Sequence, residues 1–223
     1  MIAFAPKYGS KKRPYDYRSF QGWARGFLKF HGFDLSHRVI IDNHKPARAM
    51  RKQVLAALAE ASGPPVCAFF CHGFRTRIQL GFTRNQVDAL AEALYEAYGE
   101  HVTVILYACS AGSGPGHSGD RGFADELRDA LCRAGAVHCR VVAHVTAGRA
   151  DANPFVRFFD GNGSKVGGRG GYYPILRSLI TGRNRKKKKR RNPLWRPWVK
   201  ALKGDMRWTM PFMTKEQIEG ELA

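Results

Sequence analysis

The chain has 223 residues, of which 44% are hydrophobic and 12% aromatic. This length fits one domain with short additions, and the apolar content supports a packed core, which excludes a chain disordered throughout. Lysine and arginine number 37 against 18 aspartate and glutamate residues, so the formal net charge is +19. Such an excess attracts polyanions such as nucleic acid or anionic lipid, but it does not identify a fold.

Cysteine usage and hydropathy predict a reduced, cytoplasmic protein. The five cysteines form an odd set without a CxxC pair, and the N-terminal segment lacks the apolar core of a secretory signal. The longest apolar stretches are far shorter than the ~20 residues that cross a bilayer, so we expect no transmembrane segment. His138 with Cys132 and Cys139 lacks zinc-ligand spacing, and we expect neither a metal nor another cofactor.

Residues 1–35 mix aromatic and cationic side chains without a regular period over their full length, which predicts an N-terminal arm that packs on the body. From residue 36 onward, short apolar strands alternate with amphipathic helices. The predicted strands are 38–41, 66–71, 102–107 and 140–143. This alternation is typical of a mostly parallel sheet flanked by helices, so we predict a three-layer α/β domain over residues 36–180.

Residues 181–223 form a polybasic linker followed by a tryptophan-rich segment. The basic side chains of the linker are Arg183, Arg185, Lys186, Lys187, Lys188, Lys189, Arg190 and Arg191. Three interpretations fit this run: a segment that binds nucleic acid without sequence preference, a segment that contacts an anionic surface or a partner, or a solvated linker.

Two reactive side chains directly follow predicted strands. The strand over 66–71 leads into His72 and Gly73, and the strand over 102–107 leads into Ala108 and Cys109. If these strands are parallel neighbours, both loops emerge at one edge of the sheet and bring the imidazole and the thiol together. A thiol is a strong nucleophile once ionised, and an imidazole can protonate a leaving amine. We therefore predict a Cys/His dyad.

Cys71 is the alternative nucleophile, because it immediately precedes His72. Adjacent side chains on a strand point to opposite faces, so we expect Cys71 to point away from His72. A cysteine at the end of a buried strand is also often only a small core residue. The pairing of Cys109 with a His-Gly at the end of a second strand favours the dyad over that interpretation.

The segments FFCHGF and VTVILYACSAG, in this order with a helix between them, resemble the caspase-like cysteine peptidases. That group includes caspases, metacaspases, gingipains, separase and bacterial caspase-like proteins, and the chain also resembles short caspase-like proteins of phages and prophages. The resemblance covers about the central half of the chain. It implies a caspase-like fold, Cys109 as nucleophile, His72 as its partner, and the backbone N–H groups of Gly73 and Cys109 as oxyanion donors.

The specificity positions differ from those of caspases. Caspases have Gln before their Ala-Cys and Arg-Gly after it, whereas Tyr107 and Ser110-Ala111-Gly112 stand here, so aspartate specificity does not carry over. Metacaspase-type sequences have acidic residues that select Lys or Arg, and Asp42 after the first predicted strand is the candidate here. His144, after the fourth predicted strand, is a candidate for the border of the substrate cleft.

The sequence thus predicts a cysteine hydrolase that cleaves protein or peptide substrates, with selectivity for Lys or Arg as the finer expectation. The alternative is a non-catalytic basic protein on the same fold that binds nucleic acid or a partner.

Overall fold

The computed structural model describes residues 1–9, 14–147 and 155–173, and over these residues the protein is an α/β structure. Its described elements, in chain order, are β1 (Ile2–Pro6), α1 (Asp16–Phe30), β2 (Arg38–Ile41), α2 (Ala47–Ala59), β3 (Val66–Phe70), β4 (Gly73–Phe74), β5 (Arg77–Ile78), α3 (Asp88–Tyr98), β6 (Thr103–Tyr107), α4 (Phe123–Ala134), β7 (Arg140–His144) and β8 (Val156–Asp160). The main sheet has the strand order β2-β1-β3-β6-β7-β8, and β4 pairs with β5 in a separate hairpin.

Among the described strands of the main sheet, the five from β2 to β7 in this order are parallel, and β8 runs antiparallel to β7. The mostly parallel α/β sheet expected from the sequence is therefore confirmed. The chain leaves β1 towards β2 but leaves β3 towards β6, so the direction of winding reverses between β1 and β3. In open α/β sheets, such a reversal opens a crevice at the carboxyl ends of the strands.

Two hydrophobic clusters cover the two faces of the sheet. Strand residues alternate between the faces: Phe4 and Phe69 stack on the face that packs against α2, α3 and α4, whereas Phe70 and Tyr107 stack on the face that packs against α1. The sheet residues beneath α1 include Ala3, Ala5 and Ala68, whose small side chains let the helix approach closely.

The N-terminal residues correct the expectation of a separate arm over 1–35. Ile2–Pro6 is a fully buried strand, β1, that lies between β2 and β3, and α1 covers one sheet face. In α1, Phe20, Ala24, Phe27 and Leu28 form an apolar stripe with helical spacing, which indicates an amphipathic helix. The strand was hard to read, because only Ile2 and Phe4 are large apolar residues and its burial depends on both neighbouring strands.

No helix within the described ranges is long and apolar enough to cross a membrane. The predicted polybasic linker and tryptophan-rich segment over 181–223 lie outside the described residues, as does the expected domain boundary at residue 180.

Arg128 holds the end of β8 and the glycine-rich loop that follows it, residues 161–171, against α4. Its guanidinium group contacts Asp125 at 2.7 Å and Asp129 at 2.6 Å, and it donates to the backbone oxygens of Asp160 and Gly168. The Arg128 side chain is only 1% exposed. Burying a charged guanidinium group costs free energy, and these hydrogen bonds and ion pairs offset that cost.

We expect Arg128→Met to lower the free energy of unfolding by about 3–5 kcal/mol, because the variant leaves the buried carboxylate of Asp125 without its cation. The matched control is Arg133→Met on the same helix, whose ion pair with Asp88 is exposed and contributes about 0–1 kcal/mol. Urea unfolding of both variants measures the difference. Equal losses would contradict the anchoring role of Arg128.

Candidate active site

The pairing of β3 with β6 sets the position of the predicted dyad. The two strands are adjacent and parallel, and the last pair of their ladder joins Phe70 to Tyr107. Two residues beyond the end of each strand, the chain reaches His72 and Cys109. Both residues therefore lie at the carboxyl edge of the sheet, and the contacts of His72 with Asp16 and Phe20 place its ring on the side of α1.

The loops that follow β3 and β6 are in direct contact. A Cβ atom built on Gly73 would lie 2.6 Å from the Cβ atom of Ala108 and 2.6 Å from the backbone oxygen of Cys109. Such distances are too short for any side chain, so only glycine permits this approach. Because Gly73 has no side chain, its backbone packs directly against the backbone of Cys109. Gly73 is the neighbour of His72 in the chain, so this contact brings the two loops together.

Cys109 differs from the other four cysteines in its exposure. Cys67, Cys71, Cys132 and Cys139 are buried, whereas Cys109 is partly exposed. Cys71 belongs to the cluster on the far side of the sheet, as its alternation with Phe70 predicts, and burial raises the pKa of its thiol to about 12. The expectation that Cys71 points away from His72 is confirmed, and Cys71 lacks the properties of a nucleophile.

The chain turns sharply after Cys109. Ser110 has a φ of 59°, a left-handed conformation that residues other than glycine rarely adopt. The turn is tied to the end of β7, because the N–H of Ser110 donates to the oxygen of Thr146 and the N–H of Gly112 donates to the oxygen of His144. These bonds hold Cys109 at a strained strand-to-loop turn, a feature that functional sites often contain.

His72 is fixed by residues on two sides. Its Nε2 atom lies 3.2 Å from Oδ2 of Asp16, and its ring packs edge-on against Phe20 with the ring centroids 5.0 Å apart. On the other side, the backbone N–H of His72 donates to Oε1 of Gln79, and the N–H of Gln79 donates to the oxygen of His72. The sequence analysis missed both Asp16 and Gln79. No spacing in the sequence links Asp16 to His72, because the contact depends on where α1 packs on the sheet.

His144, the candidate for the cleft border, is the last residue of β7 and is 4% exposed. Its ring packs edge-on against Tyr107 at 5.8 Å, and burial lowers its pKa to about 4. His144 is therefore neutral at pH 7, and its ring is buried against Tyr107, the last paired residue of β6.

Asp42, the candidate specificity residue, follows β2, and β1 separates that strand from β3. Its Oδ1 accepts the backbone N–H of His44 within its own turn. The structure thus does not place Asp42 at a strand end adjacent to His72 or Cys109.

Within the described ranges, no group of three or more His, Cys, Asp or Glu side chains is arranged to hold a metal ion. Comparisons of the chain with family models, with curated proteins and with solved structures found no match.

We expect Gly73→Ala to destabilise the protein by about 1–3 kcal/mol, because the new methyl group forces the two loops apart. Gly22→Ala is the control: Gly22 is an exposed helical residue of α1 with no atom within 4 Å of a built Cβ, so the change is neutral or stabilising. Urea unfolding compares the two variants. A neutral Gly73→Ala would show that the loops do not depend on this contact.

Proposed function

We propose that the protein is a cysteine hydrolase of the caspase-like class that cleaves peptide bonds, with Cys109 as nucleophile and His72 as its acid–base partner. The observation that carries this proposal is the packing of Gly73 against Ala108 and Cys109 at the ends of two paired parallel strands. The partial exposure of Cys109, in contrast to the burial of the other four cysteines, supports the assignment. The resemblance of the two strand-end segments to caspase-like peptidases agrees with it.

In the proposed reaction, His72 takes the proton of the Cys109 thiol, and the thiolate attacks the carbonyl carbon of the scissile peptide bond. The negative charge that develops on the carbonyl oxygen is stabilised by backbone N–H groups of Gly73 and Cys109. His72 then returns its proton to the leaving amine as the C–N bond breaks. Water hydrolyses the resulting thioester and releases the second product.

Selectivity for Lys or Arg is the finer part of the proposal. A cationic side chain that enters a partly dry pocket needs an opposite charge. Because β1 separates β2 from β3, Asp42 would meet only a substrate side chain that extends along the carboxyl edge of the sheet over β1. Peptides with Lys, Arg or a neutral residue before the scissile bond distinguish this selectivity from a preference for uncharged side chains.

We expect a peptide with an electrophilic ketone at its C-terminus to label Cys109 covalently, and labelling to fall at least about 100-fold in His72→Ala, because the base that activates the thiol is lost. Mass spectrometry of the digested protein identifies the modified cysteine. Cys71→Ala is the control and should retain labelling, since Cys71 is buried on the far side of the sheet. A folded protein whose Cys109 does not react, or reacts equally well in His72→Ala, would contradict the proposal.

A second candidate function is the binding of nucleic acid, and one surface favours it. The β4–β5 hairpin presents Phe74, which is 49% exposed, and the guanidinium group of Arg77 lies 4.7 Å from its ring centroid. Arg75 and Arg121 are exposed nearby, and Arg84 joins the group by donating to the oxygen of Arg121. Arginines around an exposed aromatic ring can contact phosphates and stack on bases.

For this candidate, we expect Arg77→Gln to weaken the binding of a single-stranded oligonucleotide and to reduce the slope of log affinity against log salt by roughly 0.7, the contribution of one lost phosphate contact. The control is Arg25→Gln, which removes the same charge from an exposed position on α1. Fluorescence anisotropy at several salt concentrations measures both slopes. Equal slopes for the two variants would exclude the hairpin surface as the binding site.

A further inference from the structure

The imidazole of His72 is held by two side chains from one face of α1. Asp16 and Phe20 are one helical turn apart, so both point towards the same neighbour. The carboxylate of Asp16 lies 3.2 Å from Nε2, and the phenyl ring of Phe20 meets the imidazole edge-on at 85°. The Nε2 atom itself is buried, although the His72 side chain as a whole is 26% exposed, and its contact with Oδ2 of Asp16 has the length but not the alignment of a hydrogen bond.

From this geometry we infer that Asp16 is a positioning residue for His72 in the proposed reaction, so that the site works as an Asp16–His72–Cys109 triad. The inference rests on the proposed function and adds a third residue to it. A carboxylate beside one imidazole nitrogen favours the tautomer that carries its N–H on that nitrogen, and it stabilises the imidazolium ion when the second nitrogen takes a proton.

The assignment of the nitrogens follows from this contact. When Nε2–H faces Asp16, Nδ1 is the nitrogen that carries the lone pair. Nδ1 therefore takes the proton from the Cys109 thiol, and the resulting thiolate and imidazolium ion form as a pair. The same proton passes from Nδ1 to the leaving amine when the C–N bond breaks. Asp16 keeps its charge throughout and exchanges no proton with the substrate.

The fold keeps the carboxylate of Asp16 in place. Asp16 is the first residue of α1, where the helix dipole stabilises a negative charge. The helix is anchored to the sheet by buried side chains further along it, among them Phe27, which packs against Phe70 and Tyr107. Phe70 and Tyr107 are the last paired residues of β3 and β6. The same packing that seats α1 therefore sets the distance from Asp16 to the ring.

The test compares wild type, Asp16→Asn and Asp16→Glu in the rate of Cys109 labelling by the peptidyl ketone. Loss of the negative charge beside the imidazole corresponds to a roughly 10- to 100-fold lower rate for Asp16→Asn. Asp16→Glu restores the charge and should recover part of the rate. Asp88→Asn is the control, because it removes a carboxylate that pairs with Arg133 at an exposed position.

Two further measurements separate positioning from a structural role. Thermal unfolding of Asp16→Asn should stay within a few degrees of wild type, because the side chain is partly exposed. The His72 ring signal in NMR, assigned with His72→Gln, should titrate at lower pH in Asp16→Asn, because the imidazolium ion loses its counter-charge.

If Cys109 is labelled equally fast in wild type and in Asp16→Asn, the inference is overturned and the dyad stays intact. Faster labelling of Asp16→Asn would also overturn it, since Asp16 would then restrain His72 instead of positioning it. Wild type that is not labelled at all would contradict the proposed function itself, and the triad with it.

Discussion

The contact between the ends of β3 and β6 is the constraint on which the site depends. These two strands occupy the middle of the six-stranded sheet, and their ladder runs without interruption from Val66 and Thr103 to Phe70 and Tyr107. The register brings His72 and Cys109 to the same edge, and the missing side chain at Gly73 lets the two loops touch. Backbone pairing and packing fix each of these features. The paired ends of β3 and β6 therefore bring together two residues that are far apart in the chain.

The two faces of the sheet are covered by different numbers of helices, and the face with fewer helices borders the proposed site. Three helices cover one face and belong to the larger hydrophobic cluster, whereas among the described helices α1 alone packs on the other face. The His72 side chain lies on the α1 side. A helix that begins beside the carboxyl edge can deliver a carboxylate and an aromatic ring to the imidazole from consecutive turns. The N-terminal thirty or so residues are therefore as much a part of the proposed site as the two central strands.

Much of this arrangement could be predicted from the sequence. The strands β2, β3, β6 and β7 are short apolar runs between amphipathic helices, and their parallel order places His72 and Cys109 at one edge of the sheet. The insertion of β1 between β2 and β3 could not be read, because the strand has few large apolar residues and becomes buried only through pairing. Asp16 was missed for the same reason: its approach to His72 depends on where β1 seats the helix that follows it. Asp42 was expected near the dyad because β1 had not been placed between them.

The central claim is that the ends of β3 and β6 form one reactive centre, and a crystal structure of the protein after reaction with a peptidyl ketone electrophile tests it most directly. The account predicts a covalent bond to Sγ of Cys109, with the ketone oxygen within hydrogen-bond distance of the backbone N–H of Gly73 and the His72 ring beside the sulfur. A bond to another cysteine, or an adduct on Cys109 with His72 turned away from the sulfur and the ketone oxygen in solvent, would contradict it.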